Sequence, residues 1–523
     1  MNNQQNLVIS LDHVRVHWFV SETVARVCLA IVGLLFLSSC AYKTSAEHET
    51  YSHSLSSSPD SRIAKSLRLE QYSSPRALLI EAPDFALRSR ADLINAADAT
   101  IDIQYFIWQN DATGIFTVEK LLQAADRGVR VRALVDDIQL KGLVSKLNVL
   151  CEHPSIEIRI FNPFSMRMHF PLELFRVAEF AIDGNRLNHR MHNKLLVADN
   201  QLAILGGRNI GDDYFGYSKK RNFIDTDILL SGHIVNKLSE GFDSYWNSRW
   251  AFPVSEIAHA SVRKDDLLML RERIHKRLAD YPQLVLLANE SSFNHTIDRL
   301  GKAHVLSDAE TVIDNPSVRW FDLPDEIAAE LTKVAMNVQR EVLIVSPYLV
   351  PTPKLFDIAK LLIERGVRIK VVTNSLATND IVIAHSAYAR YRKAILASGI
   401  ELYEMRADPE FTGSNIAEQH SLHSKYIIFD DEVVFIGSMN LDRRSLHLNT
   451  ELGVVLRSPG LIDALRGSFQ TLILPENSWR VTMTENGLRW TSSTGIIDKE
   501  PAKSDMQRIK SQLLRAIPVS NQL

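Results

Sequence analysis

The sequence is short of cysteine, of charge of one sign and of long apolar runs. Three cysteines among 523 residues exclude a disulfide scaffold and a cysteine-rich zinc module. Lys and Arg number 59 against 62 for Asp and Glu, so the formal net charge is −3 and a broad nucleic-acid-binding surface is disfavoured. No uncharged apolar run reaches the roughly 18 residues of a transmembrane helix. The rest is typical of globular protein, 46% hydrophobic and 23% charged, and its length suggests roughly two to four domains.

The longest uncharged apolar run covers residues 27–37 and is followed by Ser38, Ser39 and Cys40. This run is too short to span a bilayer but fits the apolar region of a signal peptide. The Leu-Ser-Ser-Cys sequence that ends at Cys40 resembles a bacterial lipobox, which implies cleavage before Cys40 and diacylation of its thiol. We therefore expect residues 1–39 to be a lipoprotein signal peptide. The protein would then be a membrane-anchored lipoprotein of the bacterial cell envelope that faces the periplasm, in the inner or the outer membrane. The alternative is a buried N-terminal helix with an incidental cysteine.

Residues 40–75 are polar and rich in serine. A segment of this composition cannot bury a core, so the sequence predicts a flexible tether between the anchor and the folded domains.

The remaining chain follows one plan twice. Residues 101–108 form a strand pattern, a helical pattern follows, and the sequence RGVR at 127–130 leads into a second strand; residues 341–345 and a second RGVR at 365–368 repeat this order. Strands that alternate with helices predict an α/β fold with two similar domains and mixed, largely parallel sheets, and so long a period indicates domain duplication. The predicted boundaries are 76–250 for the first domain, 251–320 for a connecting region, 321–475 for the second domain and 476–523 for a C-terminal hairpin and helix.

One motif occurs in each half and carries the residues expected to do chemistry. It reads His-x-Lys-x4-Asp and comprises His192, Lys194 and Asp199 in the first half and His423, Lys425 and Asp430 in the second. A single match is weak, but each copy is followed at the same sequence distance by an asparagine, Asn209 or Asn440. Further along, Asp227 and Glu451 each follow a threonine at the start of another apolar strand.

These residue types suit an exchange reaction at phosphorus. His and Lys two positions apart on a strand project from one face, so two halves that meet face to face would gather two imidazoles, two ammonium groups and two amides. Phosphodiester exchange needs a neutral histidine to attack phosphorus and a protonated one to release the alkoxide, with Lys and Asn donors around the transition state. A carboxylate behind each histidine would fix its tautomer, and Asp227 and Glu451 are the candidates. We expect no metal or other cofactor. The alternative is a pair of polar strands that face solvent.

The doubled motif resembles that of the phospholipase D superfamily, over about residues 80–475. The resemblance implies two α/β halves packed around a pseudo-twofold axis and metal-free catalysis through a phosphohistidine. It further implies that His192 and His423 are the nucleophile and the general acid, and that the two motif lysines, Asn209 and Asn440 bind phosphate. The motif aspartates, Asp199 and Asp430, would have a supporting role.

Four further segments are similar to the bacterial cardiolipin synthase branch of that superfamily: residues 103–108, 161–165, 206–212 and 440–445. This resemblance implies a phosphatidyltransferase that makes cardiolipin from phosphatidylglycerol and a second phospholipid. Its partners would be phospholipid substrates and a membrane, and not nucleic acid; no protein partner is indicated.

Several alternatives stay open at this stage. The same chemistry would serve a phospholipase that releases phosphatidic acid or, with a more basic site, a nuclease, and a non-catalytic envelope protein could use the same scaffold. Residues 161–175 mix aromatic and basic side chains and suit either an interfacial loop or packing between the halves. Residues 506–515 predict a basic amphipathic helix, lying on a membrane or docked on the domain.

Overall fold

The computed structural model describes the following ranges of the chain: 51–67, 74–140, 142–165, 174–258, 261–289, 293–316, 326–410 and 418–515. The predicted signal peptide and Cys40 lie outside these ranges, as do residues 166–173 of the predicted interfacial loop. Within the ranges, no helix is long and apolar enough to cross a membrane.

Strands and helices alternate along the first half. The strands are β1 (Arg76–Ile80), β2 (Thr100–Tyr105), β3 (Arg130–Asp136), β4 (Ile156–Phe161), β5 (Arg190–Met191), β6 (Lys194–Ala198), β7 (Leu202–Gly206), β8 (Asn222–Ile224), β9 (Asp227–Ser231) and β10 (Ala251–Pro253). The helices are α1 (Arg62–Leu67), α2 (Pro83–Ala96), α3 (Ala112–Asp126), α4 (Val144–Leu150), α5 (Leu174–Asn188), α6 (Asp212–Phe215) and α7 (Ile234–Trp246).

The chain continues through a helical segment into the second half. The helices there are α8 (Val254–Ile257), α9 (Asp266–Leu278), α10 (Pro282–Asn289), α11 (Phe293–Gly301), α12 (Glu326–Ala335), α13 (Pro353–Glu364), α14 (Val382–Ala397), α15 (Arg443–His447), α16 (Pro459–Ile473) and α17 (Asp505–Arg515). The strands are β11 (His304–Val305), β12 (Asp308–Ile313), β13 (Glu341–Val345), β14 (Arg368–Asn374), β15 (Glu401–Met405), β16 (His420–Leu422), β17 (Tyr426–Phe429), β18 (Val433–Gly437), β19 (Asn449–Thr450), β20 (Leu452–Arg457), β21 (Ser478–Thr484), β22 (Gly487–Ser492) and β23 (Gly495–Ile497).

Two large sheets have the same topology. The first has the strand order β10-β4-β3-β2-β6-β7-β9-β1, ending in β11, and the second has the matching order β21-β15-β14-β13-β17-β18-β20-β12, with β22 and β23 beyond β21. Corresponding neighbours pair in the same direction. The duplicated α/β fold with mixed sheets is therefore confirmed. Part of the expected connecting region completes the sheets, since β10 and β11 belong to the first and β12 to the second.

The expectation that the sheets are largely parallel is wrong. Within the two large sheets, only β2, β3 and β4, and likewise β13, β14 and β15, run parallel in the described part of the chain. Strands β6 and β7, and likewise β17 and β18, are joined by short turns, and a tight turn can join only antiparallel strands. Asp199, Asn200 and Asp430 occupy the left-handed region in these turns, with φ of 51°, 53° and 52°, a conformation that Asn and Asp tolerate.

The two RGVR segments end helices in the same way. Gly128 and Gly366 have φ of 90° and 87° and follow α3 and α13, so each provides the left-handed residue that stops a helix. The chain then enters β3 or β14.

The two sheets share one hydrophobic core. Strands β6, β7 and β9 and strands β13, β17, β18 and β20 contribute buried side chains to a single cluster, together with helices α7 and α16. Trp246 of α7 and Phe469 of α16 are fully buried within it. The two halves are therefore packed face to face, as the convergence of the two motifs requires.

Residues 51–67 differ from the predicted flexible tether. The carbonyl of Ser52 accepts a hydrogen bond of 2.9 Å from buried Arg132, and the backbone N–H of Ser54 donates to Asp243 at 2.8 Å. Helix α1 buries Ile63 and Leu67. Composition alone predicted a solvated segment, but its backbone groups and these two apolar side chains find partners on the first half.

The C-terminal helix α17 is docked on the protein, which is one of the two positions left open by the sequence. Ser511 is fully buried and accepts a hydrogen bond from Ser386 of α14 at 3.2 Å. The apolar residues Met506, Ile509 and Leu513 point away from this contact and are exposed.

Candidate active site

Each motif is held in place by a short strand of the opposite half. Strand β5, which ends just before His192, pairs in parallel with β19, and β16, which ends just before His423, pairs in parallel with β8. The backbone N–H of His192 donates to Thr450 at 2.9 Å, and that of His423 donates to Ile224 at 2.7 Å. This reciprocal exchange brings both motifs to the junction of the halves.

A carboxylate from the opposite half also orients each imidazole. Nδ1 of His192 lies 2.8 Å from a carboxylate oxygen of Glu451, and Nδ1 of His423 lies 2.6 Å from one of Asp225. Both carboxylates are fully buried. A carboxylate bonded to Nδ1 holds the proton of a neutral imidazole there and leaves Nε2 free as a nucleophile or base.

The structure corrects one of the two predicted carboxylates. Glu451 lies behind His192, but Asp227 lies behind neither histidine: it accepts hydrogen bonds from Arg90 at 2.8 Å and Arg208 at 3.2 Å. The matching threonines misled the sequence comparison. Gly206 pairs with Asp227, whereas the corresponding Gly437 pairs with Gly453. The position two residues earlier is thus Asp225 in the first half and Glu451 in the second, and this register is not visible in the sequence.

The two motif lysines lie beside the histidines that they follow. The ammonium group of Lys194 donates to the carbonyl of His192, and that of Lys425 donates to the carbonyl of His423. Both side chains are 1% exposed. The site therefore places two cations next to two imidazoles in a buried setting, where electrostatic interactions with a phosphate are strong.

Burial shifts the proton affinity of all four groups. It lowers the pKa of His192 to about 4, against the opposing effect of Glu451, and the pKa of His423 well below its usual value. It also lowers the pKa of Lys194 to about 7 and that of Lys425 to about 8. Near pH 7 both imidazoles are neutral in the unliganded site.

The two carboxylates differ in their own proton affinity. Burial raises the pKa of Asp225, and the nearby Lys425 only partly opposes it. Burial acts in the same direction on Glu451, but His192, Lys194 and a hydrogen bond from Ser438 outweigh it and lower the pKa of that carboxyl. Ser438 was not singled out in the sequence. Its position after the apolar strand β18 is the only hint of a role.

The two asparagines are not equivalent. Asn209 accepts a hydrogen bond of 3.1 Å from the N–H of Ile107 and donates one of 2.9 Å to the hydroxyl of Tyr214, so its amide is engaged by the protein. The amide oxygen of Asn440 is buried without a hydrogen-bond partner in the described part of the chain. Of the two, the Asn440 amide is the less engaged by the described residues; the donor that a phosphate would need is its NH2 group and not this oxygen.

The motif aspartates lie away from the imidazoles. Asp199 accepts three backbone hydrogen bonds of 2.8 to 2.9 Å from residues 98–100, and Asp430 accepts three of 2.8 Å from residues 339–341. Five residues of strand separate Asp199 from Lys194, which corresponds to about 16 Å. Both aspartates were grouped with the catalytic motif and expected to play a supporting role; each fastens a turn at the far end of a motif strand.

Aromatic side chains enclose the imidazoles. The ring of Phe106 lies 4.8 Å from that of His192, and the rings of Tyr214 and Phe223 lie 5.3 and 4.9 Å from that of His423. In the described residues, no group of three or more His, Cys, Asp or Glu side chains is arranged to hold a metal ion. Paired imidazoles, each backed by a carboxylate and flanked by an ammonium group, form a site that can transfer a phosphoryl or phosphodiester group through a histidine.

Comparison with known proteins agrees with this chemistry. A family model described as cardiolipin synthase, PLD-like domain, matches residues 91–246 and 331–473. Cardiolipin synthase C of Escherichia coli (strain K12) is 35% identical over 456 residues, which are 83% of this chain and 93% of the relative. The major cardiolipin synthase ClsA of Bacillus subtilis (strain 168) is 25% identical over 398 residues, which are 76% and 68% of the two chains.

The fold is also found in a solved structure. A crystal structure of phosphatidylserine synthase from Haemophilus influenzae Rd KW20 covers 86% of this chain and 97% of its own, with a TM-score of 0.55 and 14% identity; at that identity the likeness concerns the fold alone. The chain belongs to the phospholipase D-like family of the cardiolipin synthases, which confirms the resemblance seen in the sequence.

Proposed function

We propose that the protein makes cardiolipin by transferring the phosphatidyl group of phosphatidylglycerol to a hydroxyl group of a second phospholipid. The observation that carries this proposal is the pair of imidazoles, His192 and His423, each oriented by a buried carboxylate of the opposite half. The family relation supports the choice of phospholipids as substrates.

The first step forms a phosphohistidine. Nε2 of one histidine attacks the phosphorus of phosphatidylglycerol, and the bond from phosphorus to the glycerol headgroup breaks. The other histidine, protonated once the anionic phosphodiester is bound, donates its proton to the departing glycerol oxygen. Lys194, Lys425 and Asn440 stabilise the charge on the phosphoryl oxygens in the transition state.

The second step reverses these roles. The histidine that gave up its proton now accepts one from the hydroxyl of the second phospholipid, whose oxygen attacks phosphorus. The bond from phosphorus to histidine nitrogen breaks, and the product is a phosphodiester that joins two lipids. The glycerol released in the first step is the other product; a phosphatidylethanolamine donor would release ethanolamine in its place.

We assign the nucleophile to His192. Positive charge develops on an imidazole whose Nε2 becomes bonded to phosphorus while its Nδ1 keeps its proton. Glu451, whose carboxyl pKa is lowered, stays ionised beside this ring, whereas the pKa of Asp225 beside His423 is raised. Acid quenching during turnover, followed by mass spectrometry of the phosphorylated peptide, tests the assignment. A modified peptide that contains His423 would reverse it.

The position of the enzyme in the cell is part of the proposal. Cys40 follows a signal-like apolar run, so we infer a diacylated N-terminus that holds the enzyme at a membrane of the bacterial envelope, facing the periplasm. Anchoring raises the effective concentration of lipid hydroxyl groups over that of other acceptors. Mass spectrometry of the membrane fraction should show a diacylglyceryl-Cys40 N-terminus; an uncleaved chain with a free Cys40 thiol would contradict it.

A lipid analysis tests the function. The purified protein is incubated with phosphatidylglycerol vesicles, with and without phosphatidylethanolamine as a second phosphatidyl donor, and the products are separated. Cardiolipin should be the main product, and His192→Ala and His423→Ala should each abolish it. His275→Ala is the control, because that side chain is 67% exposed on α9.

The other functions give different products. Phosphatidic acid alone would indicate a hydrolase, and cleavage of DNA without any change in lipid would indicate a nuclease.

A further inference from the structure

The second half contains an apolar cavity much larger than the one beside helix α3 in the first half, which has a volume of about 110 Å³. The cavity has a volume of about 670 Å³ and lies between the second sheet and helices α12 and α13. Its walls are formed mostly by aliphatic and aromatic side chains, among them Leu331, Phe356, Ile358, Ile427 and Phe429. A volume of this size is typical of sites that bind small organic molecules.

The difference between the halves lies in the covering helices. Helix α3, which follows β2, buries 12 of its 15 residues. Helix α13, which follows β13 in the second half, is apolar along one face, yet Leu362 is its one buried residue among 12. The higher burial of α3 comes in part from helix α9, which packs on its outer face. Because protein interiors are normally close-packed, the larger space beneath α13 is a candidate ligand site.

The side chains that line the cavity include chain neighbours of the candidate catalytic groups but not those groups themselves. Met439 and Leu441 line it, and they are the chain neighbours of Asn440, about 3.8 Å away between Cα atoms. Ile427 and Phe429 also line it. Alternate residues of a strand share a face, so the next position in this row is Lys425, about 7 Å further along. A molecule whose phosphate lies at Lys425 therefore has the cavity directly beside it.

The exposed end of the cavity is basic. Lys354 and His447 line it and are both exposed, and Arg443 lies one helical turn before His447 on α15. Positive groups beside an apolar interior match an amphiphile that has a negatively charged headgroup and a hydrocarbon chain.

We propose that this cavity binds one acyl chain of an anionic phospholipid substrate while its phosphodiester lies between the two histidines. The inference rests on the proposed function and adds to it the group that distinguishes a lipid from other phosphodiesters. Because the apolar space described in the first half is much smaller, the substrate whose chain is bound enters from the side of the second half.

The test compares two short-chain lipids that dissolve as monomers, dibutyroyl- and dihexanoyl-phosphatidylglycerol, with the full chain as enzyme and glycerol release as the readout. A buried methylene changes a binding constant about fourfold. Two more methylenes on the one chain that enters the cavity should therefore raise kcat/KM about fifteenfold.

Filling the cavity should remove this preference. Ala359→Trp places a large ring in the cavity and should bring the ratio of the two kcat/KM values close to one. The matched control is Leu361→Trp on the same helix, because Leu361 is 40% exposed and does not line the cavity; it should keep the wild-type ratio. If Ala359→Trp does not fold, Ile358→Phe makes the same test with a smaller added volume.

The outcomes separate this inference from the proposed function. If the wild type makes cardiolipin but Ala359→Trp keeps the chain-length preference, the inference fails and the function stands. A ratio of the two kcat/KM values close to one in the wild type also overturns the inference. If that ratio then rose in Trp320→Ala, the occupant of the cavity would be residues 317–325. If no lipid releases glycerol, the proposed function fails. Melting curves then test the cavity alone: dihexanoyl-phosphatidylglycerol should raise the Tm of the wild type and not that of Ala359→Trp.

Discussion

Replacing Asp225 by asparagine tests the orientation of His423 directly. A carboxylate oxygen of Asp225 lies 2.6 Å from Nδ1 of His423 and can only accept a hydrogen bond while it is ionised. Asparagine has nearly the same shape but presents an NH2 group as well, which can donate to Nδ1 and so move the imidazole proton to Nε2. The histidine then lacks the free Nε2 that must accept the proton of the second lipid.

We expect Asp225→Asn to lose most of its turnover and none of its stability. Changing the carboxylate behind a catalytic histidine to an amide lowers kcat by about 10³- to 10⁴-fold, or about 4 to 5.5 kcal/mol of activation free energy. Burial raises the pKa of the Asp225 carboxyl in the folded protein. Such a carboxyl costs stability once it is ionised: the loss begins above its unfolded-state pKa and is complete above its folded-state pKa. At pH 7, Asp225→Asn should therefore unfold at the same urea concentration as the wild type or at a higher one.

Asp227→Asn is the matched control, because it makes the same chemical change two residues away. Asp227 is fully buried between Arg90 and Arg208, and removing one partner of a buried ion pair costs about 3–5 kcal/mol. This variant should lose stability in urea and keep its kcat per folded molecule. The assay is cardiolipin formation in phosphatidylglycerol vesicles, normalised to the folded fraction measured by circular dichroism.

A crossed result would refute the reasoning. If Asp227→Asn lost turnover at full stability and Asp225→Asn kept it, the carboxylate that orients His423 would have been assigned wrongly. If both variants lost only stability, neither carboxylate would act through the histidine.

Three further outcomes follow from the site. Asp199→Ala should lower the free energy of unfolding by about 2–4 kcal/mol, because three backbone N–H groups lose their acceptor, and leave kcat per folded molecule unchanged; a loss of kcat at full stability would place Asp199 in the chemistry. Lys194→Ala should lower kcat about 10²- to 10³-fold without a change in Tm, and an unchanged kcat would show that this ammonium does not bind the transition state. In the wild type, kcat/KM should fall as pH rises above about 7 to 8, where Lys194 and Lys425 lose their charge. It should also fall as pH drops towards about 4, where His192 becomes protonated. A profile that stays flat to pH 10, or loss of activity in excess EDTA, would contradict the mechanism.

The repeat was the part of the fold most accessible to sequence reasoning. The two RGVR segments and the two motifs establish duplication, because each marks the same turn or strand in both halves. Strand direction was not accessible in the same way. Apolar strand patterns look alike in parallel and antiparallel neighbours. The turns that reverse the chain are formed at Asp199 and Asp430, which the sequence presented as members of the catalytic motif and not as turn residues.

Within the site, the sequence identified the groups on the motif strands and missed those that come from elsewhere. His192 and Lys194 are two residues apart, so their common face follows from strand geometry alone. Asp225 approaches His423 across the junction of the halves, and its position depends on strand register. The segment at 51–67 was misjudged for a related reason: its partners, such as Arg132 and Asp243, are distant in sequence.

The exchange of carboxylates between halves explains why the site needs two copies of one fold. A single half supplies a histidine and a lysine, but the carboxylate that fixes the tautomer of His192 comes from the second half, and that of His423 comes from the first. The short strands that hold the motifs are exchanged in the same way. Two identical halves would give both imidazoles the same proton affinity, whereas the reaction needs one to attack phosphorus and the other to donate a proton. Divergence after duplication, with glutamate behind one histidine and aspartate behind the other, allows the two environments to differ while the shared core keeps both histidines in one site.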